Sequence, residues 1–225
     1  MSNFIKIDFL NCKIEISRKV FIPRIETEFW VEKAIKEVRS LKLEVRGLKI
    51  LDVFAGSGCI GIAILKACPE LCRRADFVEI DERAIEQIEI NLKLNKISPK
   101  RYRVYKSDLF EKLKGEKSAP YSGAGYDVIF ANPPYVAEER IAEVEESVLK
   151  EEPKIALFAG KDGLFYIEKF LKEAKNFLKK TGVIYLEFDP KQKEAIKNII
   201  KREGYSSFQF RKDQFKKYRW AKINK

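Results

Sequence analysis

Between residues 49 and 188 the chain switches repeatedly between two hydrophobic periods, and this constrains the fold more than any other feature. Lys49-Ile50-Leu51-Asp52-Val53 is a short apolar run of strand type, and after a glycine-rich turn residues 60–67 read as a helix stopped before Pro69. Residues 75–79 repeat the strand pattern, then Ala84, Ile85, Ile88, Asn91 and Leu92 recur at helical spacing. Residues 101–105 and 126–130 give two more strands, with 115–125 a loop by its Gly, Ser and Pro content. A helix over 163–178 leads through Thr181-Gly182 to a strand at 183–188, and a helix at 191–202 precedes strands at 205–210 and 218–223. Near-continuous apolar strands separated by helices need cover on both sides, so the expected fold is α/β, a seven-stranded, mostly parallel sheet with helices on both faces.

Ahead of this region, 4–9 and 13–16 alternate apolar and polar residues around Asn11, which predicts an N-terminal β-hairpin within a small unit 1–22. The main domain is expected over 23–225. It opens with a helix capped by Thr27, whose apolar positions are Phe29, Trp30, Ala34, Ile35 and Val38.

Composition removes several classes of function. The chain of 225 residues contains no histidine, which excludes an imidazole base and most catalytic zinc sites, so no metal site is expected. Cys12, Cys59, Cys68 and Cys72 lack metal-ligand spacing and read as reduced, buried thiols. No run approaches the ~18 apolar residues of a membrane span, and the first residues carry acidic and polar side chains where a signal peptide would be apolar, which places the protein in the cytoplasm. The net charge of +11 is uneven: nine Lys and three Arg stand against three acids between Pro190 and Lys225. Such a segment fits a ribosome or RNA contact, and equally a solvated lysine-rich surface.

In a doubly wound sheet ligands bind beyond the carboxyl ends of the strands. Leu51-Asp52-Val53-Phe54-Ala55-Gly56-Ser57-Gly58-Cys59-Ile60-Gly61 has the strand, tight turn and helix start of such a site, with Gly56 and Gly58 allowing close backbone approach. Alone, the turn fits a dinucleotide site or a plain turn. Glu79 ends the next strand, where a carboxylate can accept both ribose hydroxyls, and Asp108 with Leu109 follows the third strand, placed for an adenine amine and ring. The combination resembles the class I S-adenosylmethionine-dependent methyltransferases, and the fold expectation becomes their Rossmann-like sheet preceded by the hairpin. The resemblance implies cofactor contacts from Asp52, Phe54, Ala55, Gly56, Gly58, Glu79, Ile80, Asp108, Leu109 and Asn132, with S-adenosylhomocysteine as product. Phe54 replaces the first glycine of the usual turn.

After the fourth strand stands Asn132-Pro133-Pro134-Tyr135. A planar NH2 group is a poor nucleophile because its lone pair is delocalised, so it must be held in the attack geometry. The Asn132 side-chain oxygen and the Pro133 carbonyl can each accept one of its N–H groups, the prolines stiffen the loop, and Tyr135 can stack on the plane. No tuned base is required.

Val20-Phe21-Ile22-Pro23-Arg24-Ile25-Glu26-Thr27-Glu28, the unchanged NPPY and Glu152-Pro153-Lys154-Ile155-Ala156-Leu157-Phe158-Ala159-Gly160-Lys161-Asp162-Gly163-Leu164 together resemble the release-factor glutamine methyltransferases, the HemK/PrmC family. That resemblance implies transfer of a methyl group to the amide nitrogen of the glutamine in a Gly-Gly-Gln tip of a peptide chain release factor. Asn132, Pro133 and Tyr135 would be catalytic, and Pro134, Arg24, Thr27 and Glu28 would help to bind substrate. Ile25 stands where the family has proline, and Asp189 where it has glycine. Bacterial members add a helical N-terminal domain, which this chain is expected to lack. Three alternatives remain: a nucleic-acid adenine methyltransferase, whose flipped base offers the same NH2; a methyltransferase for a glutamine of another protein, such as a ribosomal protein; and a non-catalytic RNA- or ribosome-binding module.

Overall fold

The computed structural model describes residues 4–40, 47–115 and 125–225. Part of the Lys-rich connection after the first helix, 41–46, and most of the loop expected at 115–125, residues 116–124, lie outside the described residues.

β1 (Ile5–Phe9) and β2 (Cys12–Ile16) form the N-terminal hairpin. Leu10 and Asn11 both take positive φ, 47° and 64°, the two-residue turn whose twist matches paired strands. α1 spans Ile25–Ser40, and then β3 (Leu48–Val53), α2 (Cys59–Ala67), β4 (Cys72–Glu79), α3 (Glu82–Leu94), β5 (Tyr102–Lys106) and β6 (Tyr126–Ala131) alternate. Two short helices, α4 (Glu146–Glu151) and α5 (Lys154–Leu157), precede α6 (Phe165–Phe177), β7 (Leu178–Glu187), α7 (Lys193–Arg202), β8 (Ser207–Lys212) and β9 (Tyr218–Asn224).

The seven-stranded sheet has the order β5-β4-β3-β6-β7-β9-β8, and only β9 runs against its neighbours. Strand order reverses between β3 and β6. Alternate side chains divide two cores. Ile50, Phe77, Val128 and Phe130 face α1, α2 and α3, and Leu51, Val78, Ile129 and Ile184 face α6 and α7.

The hairpin is fastened by polar groups as well as by burial of Phe9, Cys12, Ile14 and Ile16. Gln87 and Asn91 on α3, with Asn95 capping its end, lie four residues apart and meet alternate residues of β2 and its extension. The Gln87 Oε1 accepts from Ser17 N, the Asn91 amide bonds both backbone groups of Glu15, and the Asn95 amide both of Lys13. Four helical residues rise ~6.0 Å, close to the ~6.6–6.8 Å that two strand residues span, so one helix face serves as partner to a strand edge.

Several expectations are corrected. Thr27 does not cap α1, which begins at Ile25 and closes its first turn from Glu28 N to Arg24 O; Thr27 is buried in that turn. Thr181-Gly182 is not a link before β7 but part of it. Tyr126 pairs with Leu178 and Val128 with Val183, so three extra residues bulge from the β7 side. All four cysteines are free and buried.

Candidate active site

A cavity of about 480 Å³ opens at the carboxyl ends of β3, β4 and β6, the reversal point of the sheet. Its floor is the turn after β3. Gly56 and Gly58 take φ of 54° and 78°, and Phe54 takes 60°, a conformation that costs a non-glycine residue about 1–2 kcal/mol. The ring of Phe54 stands edge-on to Tyr166, with centroids 6.0 Å apart, and forms an aromatic wall where a glycine would leave open space.

Glu79 ends β4 with its carboxylate tied down by Gly56 N at 2.9 Å, Ile80 N at 2.7 Å and Asp81 N at 3.0 Å. Burial raises its pKa, and these backbone donors oppose the rise. Asp108, just after the neighbouring strand β5, also lines the cavity, its Oδ2 accepting from Lys169 Nζ at 2.6 Å. Leu109 beside it takes a φ of 48°.

Beyond β6, Asn132, Pro133, Pro134 and Tyr135 enter the same cavity, together with Arg24 and Thr27 from the other side of the chain. The Asn132 amide nitrogen donates to Thr27 Oγ at 3.4 Å, and Thr27 donates to Glu187 Oε2 at 2.8 Å. Glu187 also accepts from the Trp30 indole at 2.6 Å and the Tyr135 hydroxyl at 3.2 Å. Burial raises the Glu187 pKa and pushes the Tyr135 phenol well above its ordinary value.

The segment 152–164 explains itself as a brace for this loop. Val136 N donates to Leu157 O and the Val136 carbonyl accepts from Ala159 N, while Gln192 Nε2 donates to Tyr135 O at 2.9 Å and to Gly163 O at 3.0 Å. Gly163, at φ 77°, passes so close that an added Cβ would lie 2.3 Å from the Tyr135 carbonyl. Glu152, buried, holds Arg24 at 2.5 Å.

Most of the residues expected from sequence therefore meet in one place. Phe54, Ala55 and Gly56, Glu79 with Ile80, and Asp108 with Leu109 all line the cavity. Three of the expected residues are absent from its lining. Asp52 is buried beneath it, holding Gly61 N at 2.9 Å. Gly58 sits at the start of α2 against Ile88, and Glu28 turns away to accept Leu10 N in the hairpin turn. Asp189 caps the turn before α7 and pairs with Arg140, work that a glycine could not do. Lys169, paired with Asp108, and the buried Glu187, which gathers Thr27, Trp30 and Tyr135, were not among the expected site residues, although an acid closing the apolar run Ile184-Tyr185-Leu186 was a visible signal.

Residues 32–172 match the family model described as conserved hypothetical protein 95. A release factor glutamine methyltransferase of Thermodesulfovibrio yellowstonii is 34% identical over 205 residues, which span 91% of this chain and 68% of that protein. The chain belongs to the release factor glutamine methyltransferase family. The family's Lactococcus lactis member is 33% identical over 87% of this chain and 66% of its own, so this chain spans about two thirds of these relatives. Among solved structures, the Thermus thermophilus 16S rRNA N2 G1207 methyltransferase, in complex with AdoMet and guanosine, superposes with a TM-score of 0.65 at 18% identity, covering 99% of this chain and 50% of that one. The ribosomal protein L11 methylase of Lactobacillus delbrueckii gives 0.57 at 18% identity, over 91% and 79%. Both share the fold expected for class I methyltransferases.

Proposed function

We propose that the chain transfers a methyl group from S-adenosylmethionine to the side-chain amide nitrogen of the glutamine in a Gly-Gly-Gln segment of a peptide chain release factor. One observation carries this reading: Asn132 stands in the wall of the cavity that also holds Gly56 and Glu79, with its NH2 already committed to Thr27. Its oxygen is thereby left to accept an N–H from a planar amide.

The cavity suits the cofactor. Its volume is in the range of small-molecule sites, and the missing Cβ of Gly56 would meet only the Phe54 carbonyl, at 3.9 Å. Gly56, Glu79 and Asp108 would hold S-adenosylmethionine, which when bound supplies an electrophilic sulfonium methyl. Asn132 and the Pro133 carbonyl orient the substrate amide and favour the positive charge that develops on its nitrogen. Tyr135, fixed by Glu187, closes the wall beside them. The methylated nitrogen is acidic enough to release its proton to water, so the site needs no histidine.

A protein partner fits the charge at the mouth better than nucleic acid does. Residues 138–151 carry six glutamates against Arg140 and Lys150, and Val144, Glu145 and Val148 of this segment line the cavity. Several cations of the basic C-terminal segment are paired with acids of this chain. Arg211 and Lys222 both reach Glu37, Arg219 pairs with Asp213, and Lys191 with Glu143. Lys201, Lys216 and Lys217 stay exposed and would carry any ribosome or RNA contact. A cytoplasmic location goes with this reading; among the described residues no helix is long and apolar enough to cross a membrane.

Labelled S-adenosylmethionine incubated with release factor, with its tip variant in which Ala replaces Gln, and with total RNA tests the reading. Label is expected on the release factor alone, and to vanish with the tip variant and with Asn132→Ala enzyme. Label on RNA and none on release factor would overturn it in favour of adenine.

A further inference from the structure

Thr27 and Glu187 come from opposite ends of the chain and meet behind Asn132, where neither is needed to line the cofactor side. Glu187 is 1% exposed and surrounded by donors: the Trp30 indole and the Thr27 hydroxyl on Oε2, and the Tyr135 hydroxyl on Oε1. The indole can only donate, and Trp30 is clamped between Phe130 and Trp220, with both ring centroids at 6.2 Å. Oε2 is therefore held as an acceptor, and the single hydroxyl proton of Thr27 is spent on it. Toward Asn132, Thr27 Oγ can then only accept, which forces the asparagine NH2 to Thr27 and its oxygen into the cavity.

We propose that Glu187 and Thr27 are positioning residues that fix the amide orientation of Asn132, so that an acceptor and not a donor faces the substrate nitrogen. An inverted amide would present N–H to N–H and repel the group to be methylated. The inference deepens the glutamine reading above and rests on it for its kinetic part only. It makes an uneven set of demands. Thr27→Ser keeps the hydroxyl; Thr27→Val keeps the shape and removes it. Glu187→Gln can keep the orientation as well, since its oxygen can serve Trp30 and Thr27 while its NH2 donates to the Tyr135 oxygen. Glu187→Leu cannot.

The test has two arms. Side-chain amide NMR of the free enzyme, with the Asn132 signal assigned by its loss in Asn132→Ala, should show that NH2 pair moved in Thr27→Val and unmoved in Thr27→Ser and Glu187→Gln. Turnover on release factor should fall about tenfold or more in kcat for Thr27→Val and Glu187→Leu, the loss expected of a mispositioned polar group, with cofactor affinity kept. Thr27→Ser and Glu187→Gln should stay within about threefold of the parent. Thr27→Val with an unshifted Asn132 signal, or with the kcat of Thr27→Ser, overturns the proposal. If wild-type enzyme does not turn over release factor, the glutamine reading fails while the NMR arm still decides the orientation.

Discussion

Asn91→Ala would cut the structure at the point where the hairpin, α3 and the glycine turn meet. The Asn91 Oδ1 accepts Glu15 N at 2.8 Å, and its Nδ2 donates to Glu15 O at 3.0 Å and Ser57 O at 2.9 Å. Each such bond contributes about 1 kcal/mol net, and the truncation removes all three, for a loss of about 3 kcal/mol. Water can reach the half-buried Glu15, whereas the bond to Ser57 is buried, so the carbonyl of Ser57 carries the larger share of the penalty. For a chain of this length a loss of 1 kcal/mol lowers Tm by roughly 2–4 °C, which gives a fall of roughly 6–12 °C. Thermal unfolding followed by circular dichroism, with urea unfolding for the free energy, measures it, and Lys93→Ala on the exposed side of α3 is the control. Asn91→Asp, which keeps the acceptor but sets a buried carboxylate oxygen against the carbonyls of Glu15 and Ser57, should fall at least as far as Asn91→Ala. A Tm for Asn91→Ala within about 2 °C of the control would refute the view that α3 fastens the hairpin through this side chain.

Further predictions concern the site. Gly163→Ala places a Cβ 2.3 Å from the Tyr135 carbonyl at a φ of 77°, so the loop carrying Asn132 must shift; methyl transfer should drop below a tenth of the parent, which a kinetic assay reads directly. Lys169→Met frees the Asp108 carboxylate, and the dissociation constant of S-adenosylmethionine by calorimetry should rise roughly two- to fivefold, as for loss of a half-exposed ion pair. Burial pushes Asp52 up to about 8, with the bond from Gly61 and the charge of Glu79 as smaller influences. The folded state then binds this proton while the unfolded chain has released it, so stability falls as pH rises from about 4 to about 8, by at most about 1.4 kcal/mol per pH unit. Asp52→Asn should flatten that slope in urea unfolding between pH 5 and pH 8, and a slope equal to the parent's would refute the assignment.

The alternation of periods made the sheet and the site's carboxyl-end location legible, because strands buried on both faces and amphipathic helices leave local marks in sequence. The NPPY loop, the glycine turn and Glu79 were legible for the same reason: each stands at the carboxyl end of a strand. What escaped depends on pairs far apart in the chain. Thr27 looked like a cap from its neighbours, but its hydroxyl is bonded 160 residues away at Glu187, and no local pattern records that partner. Glu28 was expected near substrate from its motif and instead holds the hairpin turn at Leu10. Asp52 sits in the same motif as the cofactor glycines, yet strand alternation turns it beneath the turn, toward Gly61 and the ring of Phe77. The bulge in β7 was misread because Thr181-Gly182 has turn composition while the strand resumes its ladder beyond it.

The proposed role of Asn132 and Pro133 is to present acceptors to a glutamine amide. Its most direct test is peptide mass spectrometry of release factor treated with this enzyme and S-adenosylmethionine, which locates the methyl group. A single methyl group is expected on the side chain of the tip glutamine, absent when Asn132→Ala enzyme is used; a methyl group on any other residue, or an unmodified release factor beside methylated adenine in RNA, would rule that role out.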